Sequence, residues 1–231
     1  MIEYGILGAM KVEIELIKKE MLIEEVKKIC GFEFLKGKVY DKDIVLVQCG
    51  VGKVNASCCT QILIDNFKVQ NIINTGIAGS MNEKVKIFDI VISDNVTHFD
   101  VNKVQMKNLF PNQEFFEADK SLIDISVKGV ESIQNRNFDY HIGRIVSGEK
   151  FVSCNIEKNN IIKEFSPYCV EMEGSAIGHV AFLNKIPFVV IRGISDSADD
   201  NANDDFEKNE TIIAENTSKL ILKILKNNII N

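Results

Sequence analysis

Pro187-Phe188-Val189-Val190-Ile191-Arg192-Gly193-Ile194-Ser195-Asp196 decides the fold. Up to Ile194 it is apolar on both faces except at Arg192 and Gly193, as a strand must be when helices cover both sides of its sheet. A strand buried on both faces belongs in the middle of an α/β sheet, and its end is where such sheets collect ligands. At period two Arg192, Ile194 and Asp196 share a face. A cation and an acid closing a central strand can be a buried ion pair ordering that end, or part of a site.

Working outward from this strand, the same alternation repeats. Ile2–Gly8 is a short apolar strand ending in glycine, and Lys11–Lys28 carries apolar residues at helical spacing (Leu16, Ile17, Met21, Ile23, Val26). Glu33–Tyr40 and Ile44–Cys49 read as strands around Asp41-Lys42-Asp43, and Gly50-Val51-Gly52 opens a helix over 54–67. Val69–Thr75 and Ile87–Val96 are further strands. Asn102–Glu117, rich in Asn and Gln, reads as a long mobile loop. A helix over 119–133 with Asp119 as its cap, a strand over 142–147, a helix over 173–184 and a last helix over 204–227 complete the chain. The pattern predicts one α/β domain over residues 1–231, a three-layer sandwich with a central mixed, mainly parallel sheet flanked by helices.

Composition narrows the function. The formal net charge is −6, which disfavours a general nucleic-acid partner, because phosphate backbones need a basic face. No apolar run is long enough for a membrane span, and the first residues lack the pattern of a secretory leader, so a cytoplasmic protein with no membrane partner is expected. Six cysteines without C-x-x-C spacing read as small buried hydrophobes, and three scattered histidines predict no metal. Neither G-x-G-x-x-G nor a P-loop occurs, so no dinucleotide or triphosphate cofactor is expected.

Three acids stand out. Glu13 shares a helix face with Leu16 and Ile17; it is either a first-turn acid answering the helix dipole or a buried carboxylate with a task. Asp196 closes the central strand. In Val170-Glu171-Met172-Glu173-Gly174, a carboxylate could accept two hydrogen bonds from a vicinal diol such as ribose, or Glu173 could cap the helix while Glu171 lies on the surface. Glycines at the strand ends (Gly8, Gly50, Gly52, Gly76, Gly79, Gly148) suggest a ligand close to the backbone.

Taken together, GILGAMKVEIELI (5–17), CGVGKVNA (49–56), INTGIAGS (73–80), FDIVISD (88–94), IVSGEKFV (145–152), VEMEGSAIGHV (170–180) and PFVVIRGISDSAD (187–199) resemble, in order, the nucleoside phosphorylase/nucleosidase superfamily, and within it the bacterial 5′-methylthioadenosine/S-adenosylhomocysteine nucleosidases. The resemblance implies a cofactor-free hydrolase that takes a small adenosine thioether and works as a homodimer. It implies that Glu13 is the base activating water and Asp196 the acid protonating purine N7. It matches Glu173 and Met172 to ribose binding within the same Glu171-containing motif, Phe151 to stacking on adenine and Val152 to reading the purine edge. Ser195 and Arg192 match supports of the acid and the water, and Met10, Val51, Ala78, Gly79 and Phe206 match the lining of the ribose and alkylthio pocket.

Two departures are visible. Ile77 stands where the family often has serine, and the segment that usually lends an aromatic lid to the partner subunit aligns around Val104. Both predict an altered 5′ pocket. The rivals are a phosphorylase, an aminodeoxyfutalosine hydrolase and a silent nucleoside binder. A phosphorylase needs a cationic cradle, yet the only arginines are Arg136, Arg144 and Arg192, none adjacent in sequence to the glycine turns at 8 and 76.

Overall fold

A computed structural model describes residues 1–227. The strands are β1 (Tyr4–Gly8), β2 (Leu22–Ile29), β3 (Phe32–Val39), β4 (Lys42–Gln48), β5 (Asn71–Ser80), β6 (Ile90–His98), β7 (Phe116–Glu117), β8 (Tyr140–Ser147), β9 (Cys169–Glu171) and β10 (Phe188–Asp196). The helices are α1 (Lys11–Lys19), α2 (Lys53–Phe67), α3 (Lys103–Asn108), α4 (Lys120–Glu131), α5 (Asn155–Phe165), α6 (Gly174–Asn184) and α7 (Ala202–Asn227).

Period-two alternation sorts the strand residues into the two flanking layers. Ile6, Leu46, Ile73, Ile92 and Ile191 face a core completed by Ile14 and Ile17 of α1, Leu122 of α4 and Leu220 of α7. Their chain neighbours Leu7, Val47, Ile72, Val91 and Val190 face the opposite core, with Cys59 and Leu63 of α2 and Ile177 and Ala181 of α6. The sheet is mixed. β4, β1, β5 and β10 run parallel to one another, while β6 meets β10 antiparallel. β5 is long enough to pair with β10 along one edge and with β9 at its far end, and β9, β8 and β6 lead back to β10. That end of the sheet therefore closes into a ring. The carboxyl ends of β1, β5, β9 and β10 meet around one opening.

The structure corrects three readings of the sequence. Lys11–Lys28 is not one helix: α1 stops at Lys19, and Leu22–Ile29 is a strand paired antiparallel with β3. Ile23, Val26 and Ile29 imitate a helical period, but Cys30 and Gly31, both at positive φ, form the tight turn that suits a two-residue hairpin. The segment at 102–117 contains α3, capped by the Asn102 side chain, and the short β7. β5 does not end at Thr75 but continues through the glycine-rich stretch to Ser80. Asp119 caps α4 as its position suggested, accepting from the Ser121 and Leu122 N–H groups. Cys49, Cys59 and Cys169 are buried, whereas Cys30 and Cys58 are exposed.

Candidate active site

Glu13 sits in the first turn of α1, where it is both a capping acid and buried. Its Oε2 accepts from the N–H groups of Ala9 (2.6 Å) and Met10 (2.9 Å), so it caps its own helix. Its Oε1 accepts from Ile77 N–H across the sheet at 3.1 Å, and the carboxylate lines a cavity that is partly open to solvent. Burial pushes its pKa up, while the Arg192 guanidinium and the three N–H donors pull the other way; the net direction is upward.

Asp196 reaches the same cavity through an irregularity. The β10–β5 register slips between Ile194 and Asp196, leaving Ser195 as an extra residue, so Ser195 and Asp196 both line the cavity instead of facing opposite ways. Asp196 Oδ2 accepts from Ser195 Oγ at 2.8 Å and Oδ1 from Ala198 N–H at 2.8 Å. Ala198 holds that donor in place at φ +50°, a strained conformation for a non-glycine residue. Burial raises the Asp196 pKa; the two donors oppose this, and Asp205 and Asp199 reinforce it.

Glu173 precedes α6 and accepts from Gly52 N–H at 2.8 Å through Oε1. Burial, and then the neighbouring Glu171, push its pKa up to about 8. Glu171 is not on the surface. It borders the cavity, but its oxygens are taken up by Ser147 Oγ, Arg192 Nη2 and the N–H groups of Glu173 (3.0 Å) and Gly174 (2.8 Å). Arg192 lies beneath the cavity, fully buried. It bonds Glu171 and the Asn74 side chain (2.7 Å), stands 3.8 Å from Glu173 and lowers the Glu13 pKa. It does not pair with Asp196, the partner that the strand pattern offered. Although distant in sequence, Arg192 is opposite Gly76 in the β10–β5 pairing.

Of the other residues singled out, Met10, Val51, Ala78, Gly79, Phe151, Met172 and Phe206 line the same cavity. Phe151 and Phe206 stand edge to face, with ring centroids 5.5 Å apart. Val152 lies one step away, in a small recess shared with Gly79, Phe151, Met172 and Asp196. Sequence reasoning left out the Ala9, Gly52, Ile77 and Ala198 N–H groups, while the Ile77 side chain, noted there as a departure, lines the cavity. The glycines were a partial signal: a Cβ on Gly76 would stand 2.6 Å from Glu13 Oε1, and one on Gly79 would stand 2.7 Å from Asp196 Oδ1. These glycines make room for the acids. Among the described residues no group of three His, Cys, Asp or Glu side chains gathers that could hold a metal ion.

The chain matches the phosphorylase superfamily over residues 3–226. It is 34% identical to a 5′-methylthioadenosine/S-adenosylhomocysteine nucleosidase of Tolumonas auensis, over 96% of this chain and 98% of that one. The crystal structure of the corresponding Colwellia psychrerythraea nucleosidase, in complex with adenine, superposes with a TM-score of 0.92 at 33% identity, covering 97% of this chain and 95% of that one. Futalosine hydrolase of Helicobacter pylori superposes with a TM-score of 0.89 at 29% identity, covering 98% of each chain.

Proposed function

The chain belongs to the phosphorylase superfamily, and we propose that within it the protein uses water to cleave the N-glycosidic bond of 5′-methylthioadenosine and S-adenosylhomocysteine, releasing adenine and the 5′-thioribose. One observation carries the choice of water: Glu13, Glu173 and Asp196 converge on a single cavity, and the arginine nearest to it is engaged by Glu171 and Asn74. A phosphate nucleophile would meet carboxylates there instead of a cationic cradle.

In this reading the purine lies near Phe151 and Val152, with Asp196 at N7. Asp196 delivers its proton as the C1′–N9 electrons move into the ring, so the base departs neutral. Positive charge then builds on the sugar, and Glu173, accepting from the 2′- and 3′-hydroxyls, offsets it. Glu13 takes a proton from the water that bonds to C1′. The division of labour parallels two-carboxylate glycoside hydrolysis, with a nitrogen base leaving. Burial raises the pKa of both acids. At Asp196 only the Ser195 and Ala198 donors oppose it, whereas at Glu13 the Arg192 guanidinium opposes it together with the N–H groups of Ala9, Met10 and Ile77, which is the side on which a base needs its charge supported.

The same reading makes the protein a cytoplasmic homodimer, with residues 1–231 acting as one domain. Val54 and Phe110 are strongly exposed in a groove also lined by Met106, Val180 and Leu183, an apolar face suited to a second copy of the chain. Among the described residues no helix is long and apolar enough to cross a membrane.

The test is adenine release from 5′-methylthioadenosine, S-adenosylhomocysteine, adenosine and aminodeoxyfutalosine, each with and without inorganic phosphate. Phosphate-independent release, fastest from the two thioethers, is expected. A strict phosphate requirement, or binding with no release, overturns the proposal. Sedimentation of the purified protein checks the dimer.

A further inference from the structure

We propose that Lys53, Asp100 and Glu149 form a latch beside the cavity that positions the sugar carboxylate Glu173 and the purine-facing Phe151, an inference that rests on the nucleosidase reading above. The three come from separate loops: Lys53 opens α2, Asp100 follows β6 and Glu149 follows β8. Each touches the other two. Asp100 Oδ1 takes the Lys53 ammonium at 2.5 Å, Asp100 Oδ2 accepts from Glu149 N–H at 2.9 Å, and Glu149 Oε1 accepts from Lys53 N–H at 2.7 Å.

The triangle bears on the site through the start of α2. Two adjacent N–H groups there are divided between carboxylates, that of Gly52 going to Glu173 and that of Lys53 to Glu149. Gly52 sits at φ +96°, and a Cβ on it would stand 2.7 Å from Glu149 Oε2, so the latch packs directly on the residue that holds Glu173. Glu149 is also two residues before Phe151. The ion pair is largely shielded, with side-chain exposures of 15% for Lys53 and 22% for Asp100. Burial alone would raise the Asp100 pKa, but the Lys53 ammonium and the Glu149 N–H hold it below the ordinary range.

Glu13 and Asp196 hang on donors outside this triangle: Ala9, Met10 and Ile77 for the first, Ser195 and Ala198 for the second. Loss of the latch therefore weakens substrate binding more than bond cleavage. Lys53→Met and Asp100→Asn are each expected to raise KM for 5′-methylthioadenosine about tenfold while kcat changes less than about threefold. Lys53→Arg is expected to recover most of the loss, and Lys53→Met/Asp100→Asn to be no worse than either single variant, because one unit is broken once.

The measurements are steady-state kinetics and calorimetric binding of 5′-methylthioadenosine, with circular dichroism confirming that each variant is folded. KM and Kd within about twofold of wild type, a fall confined to kcat, no recovery in Lys53→Arg, or additive effects in the double variant would each overturn the latch. Should one of Lys53→Met and Asp100→Asn misfold, the other is compared with Lys53→Arg on Kd alone. A wild type that binds 5′-methylthioadenosine without cleaving it overturns the nucleosidase reading and leaves the latch to be decided on Kd.

Discussion

The two sides of the cavity solve opposite electrostatic problems. On the base side, the hydrogen-bond donors to Asp196 among the described residues are neutral, and its charged neighbours Asp199 and Asp205 share its sign. On the sugar side, Glu13, Glu171 and Glu173 crowd around the single guanidinium of Arg192. In the proposed roles, the acid that gives up a proton would be kept from ionising early, whereas the acids that face a cationic sugar would be gathered around a cation that keeps part of their charge in place. Burial and like-charged neighbours act on both sides; what separates them is the Arg192 guanidinium, which stands among the sugar-side acids.

Asp196→Asn should break the comparison with the largest effect. Amide for acid keeps the shape and removes the proton, so kcat for adenine release should fall about 10³-fold, within the usual range for a general acid. The same variant should keep most of its activity on a 5-thioriboside of 4-nitrophenol, whose leaving group departs as a stable anion. Glu13→Gln should lose activity on both substrates. If Asp196→Asn is equally damaged on the two, the acid is not assigned to the leaving group.

Arg192→Met tests the other side. It removes the only cation from among three buried carboxylates and should destabilise the fold by about 3–5 kcal/mol, read from urea unfolding, because uncompensated buried charge is costly. Adding Glu171→Gln should recover part of that loss, since one of the stranded charges goes with it. A cost below about 1 kcal/mol would mean that the carboxylates already carry protons enough to do without the guanidinium.

How far the sequence discloses this site depends on the distance over which each feature is set. Glu13 is legible because a carboxylate beside Leu16 and Ile17 violates the helical pattern within one turn, and the structure shows it both capping that turn and buried. The both-faces-apolar run at 188–194 fixes β10 as central. The partner of Arg192 is not legible, since Glu171 and Asn74 reach it only through the pairing of β5, β9 and β10. Nor is the bulge at Ser195, because strict period two puts Ser195 and Asp196 on opposite faces. The hairpin of β2 and β3 misleads for a local reason: three apolar residues at spacing three outweigh the Cys30-Gly31 turn when the partner strand is unknown.

Glu173→Gln sharpens the sugar side at intermediate magnitude. With its carboxyl pushed up to about 8, the folded wild type holds a proton that the unfolded chain releases near the ordinary glutamate value. The stability this confers is complete below that ordinary value and is lost as pH rises towards about 8. Glutamine has no such loss. Glu173→Gln should therefore melt close to wild type in acid and above it by about 2 kcal/mol, or about 4–8 °C, beyond pH 8, while kcat/KM falls about 10²-fold. Wild-type kcat/KM should rise with pH towards 8 and the variant's should not. A melting difference that is the same at all pH values would remove Glu173 as the titrating group.

The smallest effect belongs to Ser195, and it probes the base side without touching its charge. The Ser195 hydroxyl has two acceptors within reach, Asp196 Oδ2 at 2.8 Å and Ala78 O at 3.3 Å, but only one proton to give. When Asp196 is ionised the hydroxyl turns to the carboxylate; when Asp196 is protonated it can turn to Ala78 and accept instead. Ser195 thus serves both states of the acid but favours the ionised one, in line with its lowering of the Asp196 pKa. Ser195→Ala removes the donor, so the Asp196 pKa rises further. Activity that requires the protonated acid falls as pH rises through that value, and the alkaline limb of kcat should therefore move to higher pH in the variant. The plateau should drop about tenfold or less, the worth of one hydrogen bond to the carboxylate left after proton transfer. A limb that stays put, or moves to lower pH, would show that the group titrating on the base side is not the one Ser195 holds.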